Sequence, residues 1–317
     1  MLVTTIVPTY RRPEDLCRCL AALQQQTRPA DEVLVVIRDI DEATQSFLTA
    51  FEKDSLPLRV VTVAIPGVVA AMNAGLDAAK GDVIVFTDDD AVPHPDWLER
   101  IEQRFLSAED VGGVGGRDCL HVNNHLIEGK AAVVGKVQWF GRVIGNHHLG
   151  FGEAQEVDVL KGVNMSFRRQ AIAPVRFDKR MLGQGAQAHF ECACCFQLKQ
   201  AGWRLLYDPN IVVDHYQGTR FDADQREQFD PVATVNQVHN QTLCVLEYLP
   251  PERRYIYLLW GIFVGTRGQR GCVQTLRFLP SEGTLAFRRL FASVQGRWKG
   301  WKTWKQFAKV PSEAAYE

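Results

Sequence analysis

The chain lacks any apolar run near the roughly 20 residues a helix needs to cross a bilayer. Its hydrophobic stretch Tyr255–Gly265 has 11 residues, so a conventional membrane-spanning segment is not expected. A secretory leader is not expected either, because the opening MLVTTIVPTY has no basic region and no small-residue cleavage site. Eight cysteines are present, but not the two spaced pairs or paired histidines that structural zinc sites use. Even the cluster Cys192, Cys194 and Cys195 has no partner pair. These cysteines are expected mostly as free thiols in packed positions, in a reducing, cytoplasmic setting. Internal repeats and low-complexity linkers are missing. An excess of either charge is missing too: 36 Lys/Arg stand against 37 Asp/Glu, and a net charge of -1 by itself points to no partner.

What is present is an ordinary globular composition. Over 317 residues, 46% are apolar and 23% charged, enough for one large domain or two modest ones. The charges are unevenly spread. Residues 251–317 hold 12 Lys/Arg and 4 Asp/Glu, a net of +8, which leaves -9 on the first 250 residues. An acidic body with a basic end suggests that the two parts meet different partners.

The first hundred residues alternate short apolar runs with helical patterns. Strands are expected at Val3–Val7, Val33–Ile37, Leu58–Ala64 and Val83–Phe86, and helices at Pro13–Gln26, Glu42–Lys53 and Val69–Ala79. Such βαβα order with apolar strands predicts an α/β fold, a mostly parallel central sheet with helices on both faces. Ligands of open sheets of this kind bind beyond the carboxyl ends of the strands. Residues 111–170, rich in glycine and turn residues, read as less regular, with a strand at Val163–Phe167. A helix is expected at Glu191–Ala201, then two short strands, Trp203–Tyr207 and Ile211–Val213. Helices follow from about residue 230. The expected division is a catalytic α/β domain over 1–225 and a helical region over 226–317.

The sharpest local signal is Thr87-Asp88-Asp89-Asp90, directly after the fourth strand. Three consecutive carboxylates repel one another and require a compensating cation. Hard oxygen ligands favour Mg2+ or Mn2+, particularly where a substrate phosphate completes the shell. The competing explanation is that Asp89 or Asp90 only caps the helix expected near Pro95-Asp96.

From Ile6-Val7-Pro8-Thr9-Tyr10-Arg11-Arg12 through Asn73 to Phe86-Thr87-Asp88-Asp89-Asp90, the chain resembles the family 2 inverting glycosyltransferases of the A-type nucleotide-sugar fold. Gly162-Val163-Asn164-Met165-Ser166-Phe167-Arg168-Arg169, the stretch from Glu191 to Gly202-Trp203-Arg204-Leu205, and His215 extend the resemblance over roughly residues 1–220. It implies that Pro8, Thr9, Arg11 and Asp39 contact the nucleotide base and ribose, that Asn73 lies near the donor, and that Asp89 faces the donor's ribose or sugar. It implies that Asp88 and Asp90 hold the metal with His215, that Glu191 is the catalytic base, and that Arg220 steadies the diphosphate. Two positions depart from the pattern: Glu191 stands where the family has aspartate, preceded by Phe190, and the second strand ends Arg38-Asp39-Ile40-Asp41, which makes Asp41 the substitute for Asp39.

The implied reaction is inverting transfer of a sugar from a nucleotide-diphosphate donor, a UDP-sugar first, to a hydroxyl of a glycan or lipid-linked acceptor. A nucleotidyltransferase would share the sheet and the acidic ligands, but it would normally bring a glycine-rich phosphate loop after the first strand. A catalytically silent sugar- or membrane-binding protein is the third alternative. In Leu285–Phe307, aromatic residues interleave with cations. That pattern suits the surface of an anionic membrane, on the inner face of the cell membrane, and equally a helix packed on the main domain with a solvated basic face. It carries no recognised nucleic-acid-binding motif, so no nucleic acid partner is expected.

Overall fold

The computed structural model describes residues 1–51, 56–123, 125–221, 224–225 and 228–307. The elements run Val3–Pro8 (β1), Pro13–Gln24 (α1), Glu32–Arg38 (β2), Glu42–Ala50 (α2), Leu58–Val63 (β3), Val68–Ala78 (α3), Val83–Phe86 (β4), Ala91–Pro93 (β5), Trp97–Ser107 (α4), Val111–Val122 (β6) and His125–Leu126 (β7). They continue with Lys136–Val137 (β8), Val143–Ile144 (β9), Gln155–Val157 (β10), Met165–Arg168 (β11), Arg169–Ile172 (α5), Phe190–Gln200 (α6) and Arg204–Tyr216 (β12). Four helices follow: Pro231–Tyr248 (α7), Pro251–Phe263 (α8), Cys272–Glu282 (α9) and Thr284–Phe307 (α10).

The main sheet runs β10-β12-β6-β11-β4-β1-β2-β3, with β5 beside β12 and β7 beside β6. β4, β1, β2 and β3 are mutually parallel, as their βαβα order and largely apolar sequences predict. β11 enters antiparallel between β4 and β6, and β12 returns parallel to β6. Side chains alternate across each strand. Val3, Val7, Val33 and Val35 therefore join a core with Leu16 and Leu20 of α1 and Trp97 and Ile101 of α4. Ile6 and Val36 point the other way, onto α3, where Gly75 leaves room for them. Helices thus cover both faces, and β3, at the sheet edge, is only half buried.

The chain divides into two compact units. The first comprises 1–136, 144–177 and 194–219, and holds the sheet just described. The second comprises 137–143, 178–193 and 220–317. Within it, α10 packs along α7 through Gly296 and Gly300, whose missing side chains admit the carbonyls of Val235 and His239. The boundary expected at 225/226 touches residue 226, which lies outside the described residues, as do residues 52 and 53 of the helix expected at Glu42–Lys53.

Two expectations need correction. The glycine-rich segment read as irregular contains the twelve-residue strand β6. Its glycines meet close neighbours: a Cβ on Gly112 would lie 2.6 Å from Trp203, and one on Gly116 would lie 1.8 Å from the Ile211 carbonyl oxygen. The two short strands expected around Asp208-Pro209 are one strand, β12, whose register against β6 shifts between Asp208 and Val212. That irregularity accommodates Pro209, which cannot donate to a ladder.

Candidate active site

The carboxyl ends of β1 and β4 lie side by side because the two strands are parallel neighbours. The turn after β4 carries Asp88, Asp89 and Asp90, and the turn after β1 carries Arg12. β5 then runs antiparallel to β12, pairing Ala91 with His215, so His215 stands next to Asp90. β6 runs parallel on the other side of β12 and pairs Leu120 with His215. Asp118, two residues earlier in β6, shares the His215 face by strand parity. Three stretches far apart in sequence thus converge on one histidine.

One potential ligand atom from each of Asp88, Asp90 and His215 lies within 4.8 Å of the others. His215 Nε2 is 3.4 Å from Asp90 Oδ1, and Nδ1 is 3.7 Å from Asp118 Oδ2. Both separations are long for a direct hydrogen bond. The ring is buried, yet neither nitrogen makes a hydrogen bond among the described residues. Arg12 bridges the acids, with Nη2 2.5 Å from Asp89 Oδ1 and Nη1 3.0 Å from Asp90 Oδ2. The Gly218 amide donates to Asp90 Oδ2 at 2.8 Å, and Lys161 pairs with the buried Asp118.

Burial opposes the charged His215 ring, but Asp118 and Asp90 on either side outweigh it and lift the ring to about 9. Burial raises Asp90, yet His215 and Arg12 pull it well below the usual carboxylate range. Asp118 responds in the same way: burial is overcome by His215 and Lys161, which hold it near about 2. At Asp89 burial wins over Arg12 and pushes the group up to about 8. With no ion bound, the charged His215 ring joins Arg12 and Lys161 as a cation among these acids. A divalent cation ligated by the deprotonated ring would take over that role. The donor set of two carboxylates and one imidazole, with open nitrogens on the ring, fits Mn2+ or Mg2+ completed by further oxygen ligands. The capping explanation for Asp89 and Asp90 does not apply, since β5 intervenes before α4 and the α4 N-cap is Asp96.

The other expected site residues are placed as follows. Pro8 ends β1, and the amide of buried Thr9 donates to Val36 O at 2.9 Å. Arg11 has a positive φ of 57°, and its amide donates to Asp41 Oδ2 at 2.6 Å. Asp41 also caps α2 through the Thr44 amide, so the substitute for Asp39 is engaged structurally. Asp39 itself is largely exposed, 3.6 Å from Arg38. The Asn73 amide clamps the backbone of Phe177, donating to its carbonyl and accepting from its N–H, both at 2.9 Å. Asn164 is likewise committed, accepting from Trp97 and donating to the Arg117 and Ile211 carbonyls. Glu191 sits half-buried in the first turn of α6, within the second unit. Arg220, also in the second unit, pairs with Asp224. Sequence reasoning gave no role to Arg12, Asp118 or Lys161. Arg12 could have been found by asking which cation closes the neighbouring strand; Asp118 lay in the strand that its glycines concealed.

A doubly covered, mostly parallel sheet with an acid–histidine cluster at its strand ends defines the A-type nucleotide-sugar transferase architecture. Residues 4–200 match the family described as Glycosyl transferase family 2, and the chain belongs to that family. Among curated relatives, it is 26% identical to Glucosyl-dolichyl phosphate glucuronosyltransferase of Haloferax volcanii over 223 residues, covering 68% of this chain and 69% of that protein. It is 34% identical to Glycosyltransferase AglE of the same organism over 118 residues, covering 36% of this chain and only 38% of AglE. The fold is shared with the mannosyltransferase PcManGT from Pyrobaculum calidifontis, solved with GDP-Man and Mn2+, at 17% identity and a TM-score of 0.52, covering 99% of this chain and 76% of that one. It is shared also with S. aureus TarS, solved with UDP-GlcNAc, at 13% identity and a TM-score of 0.54, covering 96% and 92%.

Proposed function

We propose that this chain transfers a sugar from a nucleoside-diphosphate donor to an acceptor hydroxyl, with inversion at the anomeric carbon. The observation that carries the reading is the meeting of Asp88, Asp90 and His215 at the carboxyl ends of the parallel strands. These three residues would hold Mn2+ or Mg2+. A divalent cation bound there would act as a Lewis acid toward the diphosphate oxygens, with several kcal/mol of charge stabilisation at stake. Pro8, Thr9, Arg11 and Asp39 supply the nucleotide side, shaped by the Asn73 clamp. Asp89 faces the ribose or sugar, and Arg220 exchanges Asp224 for the diphosphate. Glu191 accepts the proton of the attacking hydroxyl, a role that typically gives about 10²–10⁴-fold.

Support for a nucleotide-sugar donor comes from the two solved structures, which hold GDP-Man and UDP-GlcNAc. The two bases differ, so a UDP-sugar is the first donor to try rather than the sole one. The relatives include a glucosyl-dolichyl phosphate glucuronosyltransferase and a succinoglycan biosynthesis protein, which favours a lipid-linked or polysaccharide acceptor. The test is a panel of nucleotide sugars incubated with Mn2+ and read by mass. Donor consumption that disappears in both Asp90→Ala and Glu191→Ala supports the reading. Full activity in Asp90→Ala would refute the metal assignment. Release of pyrophosphate from a nucleoside triphosphate and a sugar phosphate would point to a nucleotidyltransferase, and donor binding without turnover to a silent binding protein.

A further inference from the structure

In the second unit, α8 and α9 each leave a row of apolar residues in water. On α8, Tyr255, Leu259 and Phe263 are spaced by four residues and therefore share one face; they are 71%, 55% and 58% exposed. On α9, Val273 and Leu276, three residues apart, also share one face, at 53% and 67%. Isolated exposed apolar side chains are ordinary, but rows of large ones on consecutive helices mark a surface that meets something. The opposite side of α8 packs normally, through Tyr257 and Gly261.

The charge around these rows selects the occupant. Residues 251–307 carry eleven Lys/Arg and only Glu252 and Glu282 as acids. Glu282 is occupied by buried Arg270 at 2.6 Å. Arg267 and Arg277 are exposed close in sequence to the apolar rows; on α8 the exposed Arg253 flanks its row about a third of a turn away, and the row itself begins at the exposed Glu252. A second copy of the chain would bring the same basic segment against itself, so like charges oppose symmetric pairing. A nucleic acid would satisfy the arginines but leave the aliphatic rows wet. A bilayer bearing anionic headgroups satisfies both, taking the apolar rows into its interfacial layer and the arginines at its phosphates. No helix among the described residues is long and apolar enough to span a membrane, so the geometry is that of a helix face lying in the interface.

We propose that the exposed faces of α8 and α9 form a docking surface for an anionic lipid bilayer. The sequence pattern alone pointed to Leu285–Phe307; the structure adds α8 and α9. This proposal does not depend on the donor chemistry. It is tested by co-sedimentation of the full chain with phosphatidylcholine vesicles containing or lacking about a third phosphatidylglycerol. Binding should require the anionic lipid and weaken as salt is raised from 50 to about 300 mM. The triple variant Leu259→Glu/Phe263→Glu/Leu276→Glu should lose at least about tenfold in partitioning while keeping the wild-type melting temperature without vesicles. Arg253→Gln/Arg267→Gln/Arg277→Gln should bind more weakly and with a shallower salt dependence. Absence of binding at low salt, equal binding to neutral vesicles, or undiminished binding by the triple Glu variant would overturn the proposal. So would a concentration-dependent dimer, seen by sedimentation velocity, that the triple Glu variant abolishes.

Discussion

Asp118 is not one of the three proposed ligands; it faces His215 from behind, 3.7 Å from Nδ1, where a small movement would let it accept that N–H. With Asp118 facing Nδ1, Nε2 is left toward Asp90. Carboxylates behind ligating histidines fix the tautomer and raise basicity, and losing one typically costs about 10–100-fold in metal affinity. Asp118→Asn should therefore weaken Mn2+ binding by that factor in donor-free calorimetry. The same measurement has a pH dependence of defined sign. With no ion bound His215 is lifted to about 9, so below that pH a proton must leave before the ring can ligate. Apparent affinity should rise as pH increases toward 9, and titrations in buffers of different ionisation enthalpy should report about one proton released per ion near pH 7.5. A pH-independent affinity with no proton release would exclude His215 as a ligand. At this scale the acids were legible in the sequence because three consecutive carboxylates need no partner to be conspicuous. Arg12 and Asp118 were not, because they reach the cluster only through strand pairing.

Among the elements, the first four strands and the helices between them were readable because their apolar residues keep strict periods. β6 was not. Glycine normally weakens a strand, so a segment with Gly112, Gly113, Gly115 and Gly116 looks like loop; here the requirement comes from Trp203, Leu205 and the Ile211 carbonyl, none of them local. The break expected at Pro209 was absorbed by a register shift rather than a turn. The contact of α10 with α7 offers a direct measurement of such hidden requirements. A Cβ on Gly296 would lie 2.7 Å from the Val235 carbonyl oxygen and 2.7 Å from Val238 Cβ. Overpacking of this kind costs about 1–3 kcal/mol. Gly296→Val should lower the denaturant midpoint accordingly, whereas Gln295→Ala, on the exposed side of the same helix, should leave it nearly unchanged.

For the molecule as a whole, acid sensitivity has several sources, among them the rings of His147 and His189, both lowered by burial. Burial holds His147 down at about 4, and its Nε2 engages the Val159 carbonyl at 2.9 Å. Between about pH 6.5 and 4 the unfolded chain takes up a proton there that the folded chain does not. Stability from this group is therefore full above 6.5 and lost as the pH falls through that window, about 3 kcal/mol in all. Chemical denaturation at pH 7.5 and 4.5 should show wild type losing more than His147→Gln, and parallel losses would rule the ring out. The glycines of β6 have a consequence of their own. Composition would place the most pliable backbone there, but each missing side chain is filled by a neighbour at contact distance, and the strand lies between β11 and β12. Its amides belong with the last to trade hydrogen for deuterium, so the stretch that reads as irregular behaves as a keystone.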